Sequence, residues 1–167
     1  VGITIADIIA HRKAYPNLWT LQTLQLNITL QPGRFSLFGT TRDDIIVDST
    51  YNAAPGSMRK IIQETLSLQQ GFFPNYKVIC VLGEMRELGE TSKVEHVELA
   101  KRLMDKVDTI IGVSGDTVAM TDYLIGLEQQ NKHIYWVERA LESVDVVQNI
   151  LAQDPTQKYF IIYKSSQ

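Results

Sequence analysis

The pattern of apolar and polar positions predicts alternating strands and helices from about residue 34 onward. Short apolar, β-branched runs are typical of buried strands, and they alternate with segments whose apolar positions recur at helical spacing. The predicted strands are Arg34–Phe38, Asp44–Val47, Lys77–Leu82, Thr109–Val113, His133–Val137 and Tyr159–Tyr163. The predicted helices are Gly56–Gln70, Ser92–Lys106, Asp116–Gln130 and Ala140–Gln153. This alternation predicts an α/β fold with a Rossmann-like, mostly parallel sheet flanked by helices.

The first part of the chain shows a different pattern. Thr4–Tyr15 has the apolar spacing of a short helix, and Leu18–Leu30 alternates partially, which predicts a strand with one exposed face. Gln31–Gly33 is a break, because Pro and Gly interrupt both kinds of element. We therefore predict a domain boundary there. Residues 1–31 would be the remnant of a preceding domain and its linker, and residues 32–167 one α/β domain.

Composition narrows the function classes. The 167 residues are 44% hydrophobic and 21% charged, which is typical of a globular domain. The net charge of −3 and the absence of a Lys/Arg run give no support for a nucleic-acid surface. No apolar stretch approaches the ~20 residues of a membrane span, and no signal peptide is visible, so we expect a cytoplasmic protein.

Two single residues add to this picture. The one cysteine, Cys80, lies in an apolar predicted strand, which favours a buried, reduced thiol over a disulfide. The chain begins at Val1 without an initiator Met, so we expect it to be a piece of a longer protein.

The stretch Asp48–Met58 is the strongest candidate for a binding loop. It follows a predicted strand, contains an acid, hydroxyls, Tyr, Asn, Pro and Gly, and leads into a helix. Ligands of open α/β sheets bind at the carboxyl ends of strands, and a helix start favours phosphate. The same residue types also cap helices and form turns. Taken alone, the stretch favours an ordinary turn by roughly two to one.

Two other polar clusters follow predicted strands. Leu82–Gly89 contains Glu84, Arg86 and Glu87, and Lys164–Ser166 follows the last strand. Because parallel strands end at one edge of a sheet, we expect both clusters beside Asp48–Met58, where together they would form a cleft. The alternatives are a solvated charged loop and a frayed terminus.

Other motifs carry less information. The phosphate-loop pattern GxxxxGK and the dinucleotide pattern GxGxxG are absent. Gly112–Asp116 follows a predicted strand and opens a helix, a position that could bind an anion. Two glycines at this spacing favour an ordinary turn over an anion site by about three to one. The three histidines lack metal-ligand spacing, and His96 is interpreted as a surface or packing residue. Ser92 with Glu95 predicts a capping box.

Four motifs in chain order resemble those of the C-terminal domain of Mur ligases. They are Pro32-Gly33-Arg34, Asp48–Met58, Val81–Gly89 and Lys164–Gln167, and the resemblance covers about Gly33 to Gln167. It is closest to the branch of the family that adds D-alanyl-D-alanine to UDP-MurNAc-tripeptide in peptidoglycan precursor synthesis. Each motif alone is weak, whereas four in the same order are specific.

The resemblance implies an ATP-dependent ligase. The full-length enzyme would use ATP and Mg2+ to convert a substrate carboxylate into an acyl phosphate, which the amine of D-alanyl-D-alanine attacks. An upstream central domain would hold the phosphate loop and the metal. The C-terminal domain would close over ATP and present the dipeptide. This chain alone would therefore be inactive, with no catalytic residue and no metal ligand of its own.

The resemblance also implies roles for single residues. The nucleotide-binding residues would be Arg34, Asp48, Tyr51 and Asn52. The residues on the incoming-substrate side would be Glu84, Met85, Arg86, Lys164, Ser165 and Ser166. The chain departs from the family pattern at three positions, where Ala54 replaces Asn, Glu84 replaces Asp, and Ser165 replaces Gly.

Two alternatives remain open at this stage. The first is another Mur ligase-like or folylpolyglutamate synthase-like enzyme that adds a different amino acid. The second is a non-catalytic α/β binding module, which the departures at Ala54 and Ser165 would explain.

Overall fold

A single six-stranded sheet forms the centre of the structure, a computed structural model that describes residues 33–127 and 132–166. The strands are β1 Ser36–Gly39, β2 Ile45–Asp48, β3 Lys77–Gly83, β4 Thr109–Val113, β5 His133–Val137 and β6 Tyr159–Lys164. The helices are α1 Pro55–Phe72, α2 Ser92–Leu103, α3 Thr117–Gly126 and α4 Ala140–Gln153. The strand order is β1-β2-β6-β3-β4-β5. Only β1 is antiparallel to its neighbour among these strands, which confirms the predicted mostly parallel α/β sheet.

Helices cover both faces of the sheet. Side chains of α1, α2 and α3 pack on one face, against Val78, Cys80 and Leu82 of β3. Side chains of α4 pack on the other face, against Ile79 and Val81 of the same strand. Successive residues of a strand point to opposite faces, so a strand covered on both sides must be apolar throughout. This is why β3 reads as a continuous apolar run.

The last strand lies in the middle of the sheet. From β2 to β5 the chain advances across the sheet through α1, α2 and α3, and α4 then carries it back so that β6 enters between β2 and β3. Parallel crossovers are right-handed in nearly all proteins, so a connection that runs backwards places its helix on the opposite face. The carboxyl end of β6 consequently lies between those of β2 and β3.

Several predicted boundaries are correct and others are shifted. Strands β4 and β5 and helix α4 have the predicted ends. Strand β1 begins at Ser36 rather than Arg34, because Phe35 has a φ of 58°, a left-handed conformation that cannot continue a strand. The predicted helix Thr4–Tyr15 and strand Leu18–Leu30 lie outside the described residues.

Helix α2 differs from the prediction at both ends. It ends at Leu103 rather than Lys106, since the Lys106 N–H bonds back only three residues, to the Leu103 carbonyl. The predicted capping box at Ser92 is wrong, because a short 3₁₀ turn, Gly89–Thr91, precedes Ser92 and makes it the first helical residue. Helix α3 ends at Gly126, four residues before the predicted end at Gln130.

No helix in the described ranges is long and apolar enough to cross a membrane.

We predict that Cys80 is unreactive in the folded protein. It is fully buried in β3, and burial, with a smaller contribution from the Asp108 carboxylate, raises the pKa of its thiol to about 12. The reactive thiolate is therefore scarce at pH 8. A disulfide reagent such as DTNB should modify Cys80 only as fast as the protein unfolds, with the modified residue located by mass spectrometry. Guanidinium-unfolded protein is the control, and rapid labelling of the folded protein would contradict this burial.

Candidate functional site

Three polar clusters meet at the carboxyl edge of the sheet, as the sequence predicts. The first is Asp48–Met58, the second is Leu82–Gly89 and the third is Lys164–Ser166. In the register of the parallel strands, Asp48 of β2 lies beside Tyr163 of β6, and Leu82 of β3 lies beside Lys164. The loops that begin after β2, β6 and β3 are therefore immediate neighbours, although more than 100 residues of chain separate Asp48 from Lys164. This edge is the site at which open α/β sheets bind ligands.

The first cluster is a closed turn. The Oδ1 atom of Asp48 accepts hydrogen bonds from the Thr50 backbone N–H at 3.1 Å and from the Thr50 hydroxyl at 2.8 Å. The Tyr51 N–H donates to the Gly33 carbonyl at 3.0 Å. The guanidinium carbon of Arg34 lies 3.9 Å from the centre of the Tyr51 ring, within cation–π distance. The segment that enters the domain and the loop after β2 are thus fixed to each other.

This turn presents polar groups to solvent. The side chains of Arg34 and Asn52 are exposed, and the Tyr51 side chain is 44% exposed. Helix α1 follows with Pro55 in its first turn, which carries no acidic side chain, and its N-cap, Ala54, makes no side-chain hydrogen bond. A helix start without acidic side chains is electrostatically suited to an anionic ligand, and so is an exposed guanidinium.

Lys164 is buried against the same loop and binds its backbone. Its residue is only 3% exposed, and its Nζ donates to the Ser49 carbonyl at 3.1 Å and to the Asn52 carbonyl. Neither acceptor is a carboxylate, and burial lowers the pKa of the Lys164 ammonium. The structure therefore places Lys164 against the backbone of the loop Ser49–Asn52. A contact of Lys164 on the incoming-substrate side stays a prediction.

Glu84 extends from the end of β3 to the start of α3. Its Oε1 accepts a hydrogen bond from the Asp116 N–H at 3.0 Å. Gly115 has a φ of 48°, and a Cβ atom at this position would lie 2.1 Å from that same oxygen. The carboxylate thus lies against a glycine at the positive end of a helix, which is a favourable place for it. The turn Gly112–Asp116 therefore holds an anion that belongs to the protein itself, the Glu84 carboxylate.

Met85, a residue of the second cluster, is joined to the buried His96 of α2. The Met85 N–H donates to His96 Nε2 at 3.1 Å, and His96 Nδ1 lies 2.8 Å from the Ser92 carbonyl. A carbonyl only accepts, so Nδ1 carries the proton and Nε2 is the acceptor of a neutral imidazole. Both nitrogens of this fully buried ring are engaged, which assigns His96 a packing role, one of the two predicted possibilities.

The end of β6 touches the end of β3 through a glycine. A Cβ atom built on Gly83 would lie 2.4 Å from the Ser165 Cβ, so only glycine permits this approach. Arg86 is exposed on the same side, and Ser166 is half-buried. Sequence reasoning did not predict that Gly83 permits this close approach. The available signal was a glycine at the end of an apolar predicted strand.

Two cavities lie away from the candidate site. A cavity of about 60 Å³ lies between α1 and α2, and another of about 160 Å³ lies near the amino ends of β4 and β5. The three clusters line neither of these. Within the described part of the chain, no three His, Cys, Asp or Glu side chains are grouped so that they could hold a metal ion.

Known proteins match this chain in sequence and in structure. The sequence model of the family described as "Mur ligase, glutamate ligase domain" matches residues 33–156. The UDP-N-acetylmuramoyl-tripeptide–D-alanyl-D-alanine ligase of Escherichia coli (strain K12) is 28% identical over 96 residues, which are 57% of this chain and 20% of that enzyme. The chain thus spans about a fifth of the curated relative's length.

Solved structures share the fold. A crystal structure of MurF from Acinetobacter baumannii matches with a TM-score of 0.65 and 28% identity, covering 81% of this chain and 28% of that one. The MurF ligase from Thermotoga maritima, crystallised in complex with ADP, matches with a TM-score of 0.59 and 22% identity, covering 96% of this chain and 34% of that one. The second likeness is evidence for the fold alone.

We predict that Gly83→Ala destabilises the domain. The added Cβ atom would overlap the Ser165 backbone and side chain, and overpacking of this kind costs about 1–3 kcal/mol. The matched control is Gly39→Ala, at a strand position with no neighbouring atom within 4 Å. Its free energy of unfolding should change by less than about 1 kcal/mol. Equal stability of the two variants in chemical denaturation would contradict the close approach of β3 and β6.

Proposed function

This chain belongs to the Mur ligase, glutamate ligase domain family, and on that premise we propose that it is the C-terminal domain of an ATP-dependent amide-forming ligase. The reaction is the addition of D-alanyl-D-alanine to UDP-MurNAc-tripeptide, a cytoplasmic step of peptidoglycan precursor synthesis. The observation that carries the proposal is the meeting of the three polar clusters at one sheet edge. The name of the curated Escherichia coli relative supports this choice of substrates.

On the nucleotide side, this chain contributes an exposed cation and polar groups held in place. Arg34 is positioned by the Tyr51 ring and can pair with a phosphate oxygen without reorganisation. Asp48 commits Oδ1 to the turn, so Oδ2 is the atom proposed for a ribose hydroxyl. The exposed Asn52 amide lies on the same turn and suits either the ribose or the base.

ATP, when bound, supplies the phosphoryl group that activates the substrate carboxylate. The residues of this edge suit such a ligand, because an exposed guanidinium is stacked on an aromatic ring, and the helix start that follows carries no acidic side chain. We assign Mg2+ and the phosphate loop to an upstream domain of the longer protein. Closure of that domain onto this edge would exclude water from the reacting groups.

On the incoming-substrate side, the proposed contacts are the exposed Arg86 and the half-buried Ser165 and Ser166. Arg86 would hold the dipeptide carboxylate and leave its amine available for attack. Ser165 and Ser166 would supply hydroxyl groups beside it. Glu84 and Met85 have partners inside the domain, so we propose that they shape this surface.

We predict that Arg34→Ala in the full-length enzyme lowers kcat/KM for ATP by about 10- to 100-fold. This range corresponds to the loss of one hydrogen bond to a charged group. The matched control is Arg102→Ala, which removes an exposed arginine on α2, away from this edge. Steady-state kinetics measure the effect, and thermal unfolding verifies that both variants fold. Wild-type kinetics for Arg34→Ala would remove Arg34 from the site.

We predict that the full-length enzyme releases phosphate from ATP only when UDP-MurNAc-tripeptide and D-alanyl-D-alanine are both present. The isolated chain should release none, because no phosphate-loop sequence occurs in it. A coupled phosphate assay with mass spectrometry of the product tests both statements. Phosphate release by the isolated chain would contradict the proposed division of labour between domains.

The identity of the amine that the ligase adds separates the proposed D-alanyl-D-alanine ligase from a related ligase that adds a single amino acid. The family description names a glutamate ligase domain, which favours single amino acids as alternative acceptors in another ligase of this class. Supplying the full-length enzyme with glutamate, other amino acids or D-alanyl-D-alanine distinguishes these by product mass. If the enzyme forms a product with glutamate and none with D-alanyl-D-alanine, glutamate is the acceptor and the dipeptide proposal is wrong. No product with any acceptor would favour a non-catalytic binding module.

A further inference from the structure

We propose that Lys164 is a positioning residue that acts on the nucleotide without touching it. Its buried ammonium group fixes the backbone conformation of the loop Ser49–Asn52. The inference rests on the proposed function, because it assumes that this loop contacts ATP. It assigns the positively charged residue of the last motif to the nucleotide side of the site.

The position of β6 makes this contact possible. The Ser49 N–H donates to the Tyr163 carbonyl at 2.8 Å, so the β2–β6 ladder continues one residue beyond β2. The chain then turns over the end of β6, where Lys164 begins. Its Nζ binds the carbonyls of Ser49 and Asn52 together. Two carbonyls three residues apart are thereby fixed around one ammonium group, which defines the shape of the loop.

A continuous series of contacts links this ammonium group to the exposed surface. Tyr51 lies between the two held carbonyls, and its N–H bonds to Gly33. Its ring in turn supports the guanidinium of Arg34. Loss of the ammonium would release the loop and, through Tyr51, the orientation of Arg34. The effect on the nucleotide would therefore be indirect.

Burial of this charge calls for an explanation beyond packing. No carboxylate of the described residues 33–127 and 132–166 forms an ion pair with Lys164. A cation buried in this way is costly, and an apolar side chain of similar length would fill the space at lower cost. An apolar side chain could not, however, hold the two carbonyls. The hydrogen bonds of Lys164 are what such a replacement would lose.

The next residue in the chain separates the two sides of the site. Ser165 packs against Gly83, from which the second cluster begins. Lys164 contacts the first cluster and Ser165 the second. A change at the Lys164 Nζ should consequently affect the KM for ATP much more than the KM for the dipeptide. A residue that only stabilised the fold would alter both.

The test uses Lys164→Met in the full-length enzyme. The matched control is Lys132→Met: the Lys132 Nζ also donates to a backbone carbonyl, that of Val107 at 2.9 Å, and burial also lowers the pKa of its ammonium. Lys132 precedes β5, at the opposite edge of the sheet. Hydrogen exchange of the Tyr51 amide reports on the loop directly, and KM values for ATP and for D-alanyl-D-alanine report on the two sides.

For Lys164→Met we expect Tyr51 exchange and the KM for ATP each to rise about tenfold, the equivalent of about 1.4 kcal/mol. The KM for the dipeptide should stay within about twofold of wild type, and Lys132→Met should change none of the three. Should Lys164→Met fail to fold, Lys164→Gln, which retains a neutral donor, is expected to give smaller changes of the same kind.

Three outcomes would overturn the inference: unchanged Tyr51 exchange, faster exchange with an unchanged KM for ATP, or equal rises in both KM values. Failure of the proposed function is seen separately, as absence of ligase activity in the wild-type enzyme. Tyr51 exchange still tests the contact between Lys164 and the loop in that case.

Discussion

The position of β6 between β2 and β3 is the constraint on which the candidate site depends. Neighbouring strands lie only about 4.8 Å apart, so the loops that follow these three strands must touch. The position itself follows from chirality, because α4 returns the chain across the opposite face of the sheet. The residues at the carboxyl end of β6 are thereby delivered to the centre of the sheet. Lys164 can reach the loop after β2 for this reason alone.

The residues of the four motifs divide into two physical groups. Arg34, Asn52 and Arg86 are exposed and can meet a ligand. Glu84 and Lys164 are engaged inside the domain, where each joins one loop to another. A motif of this family thus contains residues that form the surface and residues that hold it in shape. A polar residue in such a motif need not touch the substrate.

Apolar patterning was sufficient to predict the architecture, because strands covered on both faces leave an unmistakable run of β-branched residues. Apolar patterning could not predict the strand order, because the return of β6 to the middle of the sheet depends on α4 and not on any local pattern. Helix ends were also harder. Ser92 looked like an N-cap by residue type, but the preceding 3₁₀ turn placed it inside the helix.

Side-chain partners were the least predictable part of the site. Lysine is rarely buried, and nothing in the local sequence around Lys164 indicates that its side chain lies against the backbone of the loop after β2. The resemblance to Mur ligases suggested which residues matter, but it could not indicate that Glu84 would lie on Gly115. Both contacts join residues far apart in sequence, and they form only once the sheet has assembled.

We propose that this sheet edge faces the nucleotide in a longer ligase. A crystal structure of the full-length enzyme with a non-hydrolysable ATP analogue and UDP-MurNAc-tripeptide tests it most directly. We expect Arg34 within hydrogen-bonding distance of a phosphate oxygen, and Asp48 or Asn52 within that distance of the ribose or base. A closed complex in which the nucleotide is bound and residues 34–52 contact none of it would contradict the account.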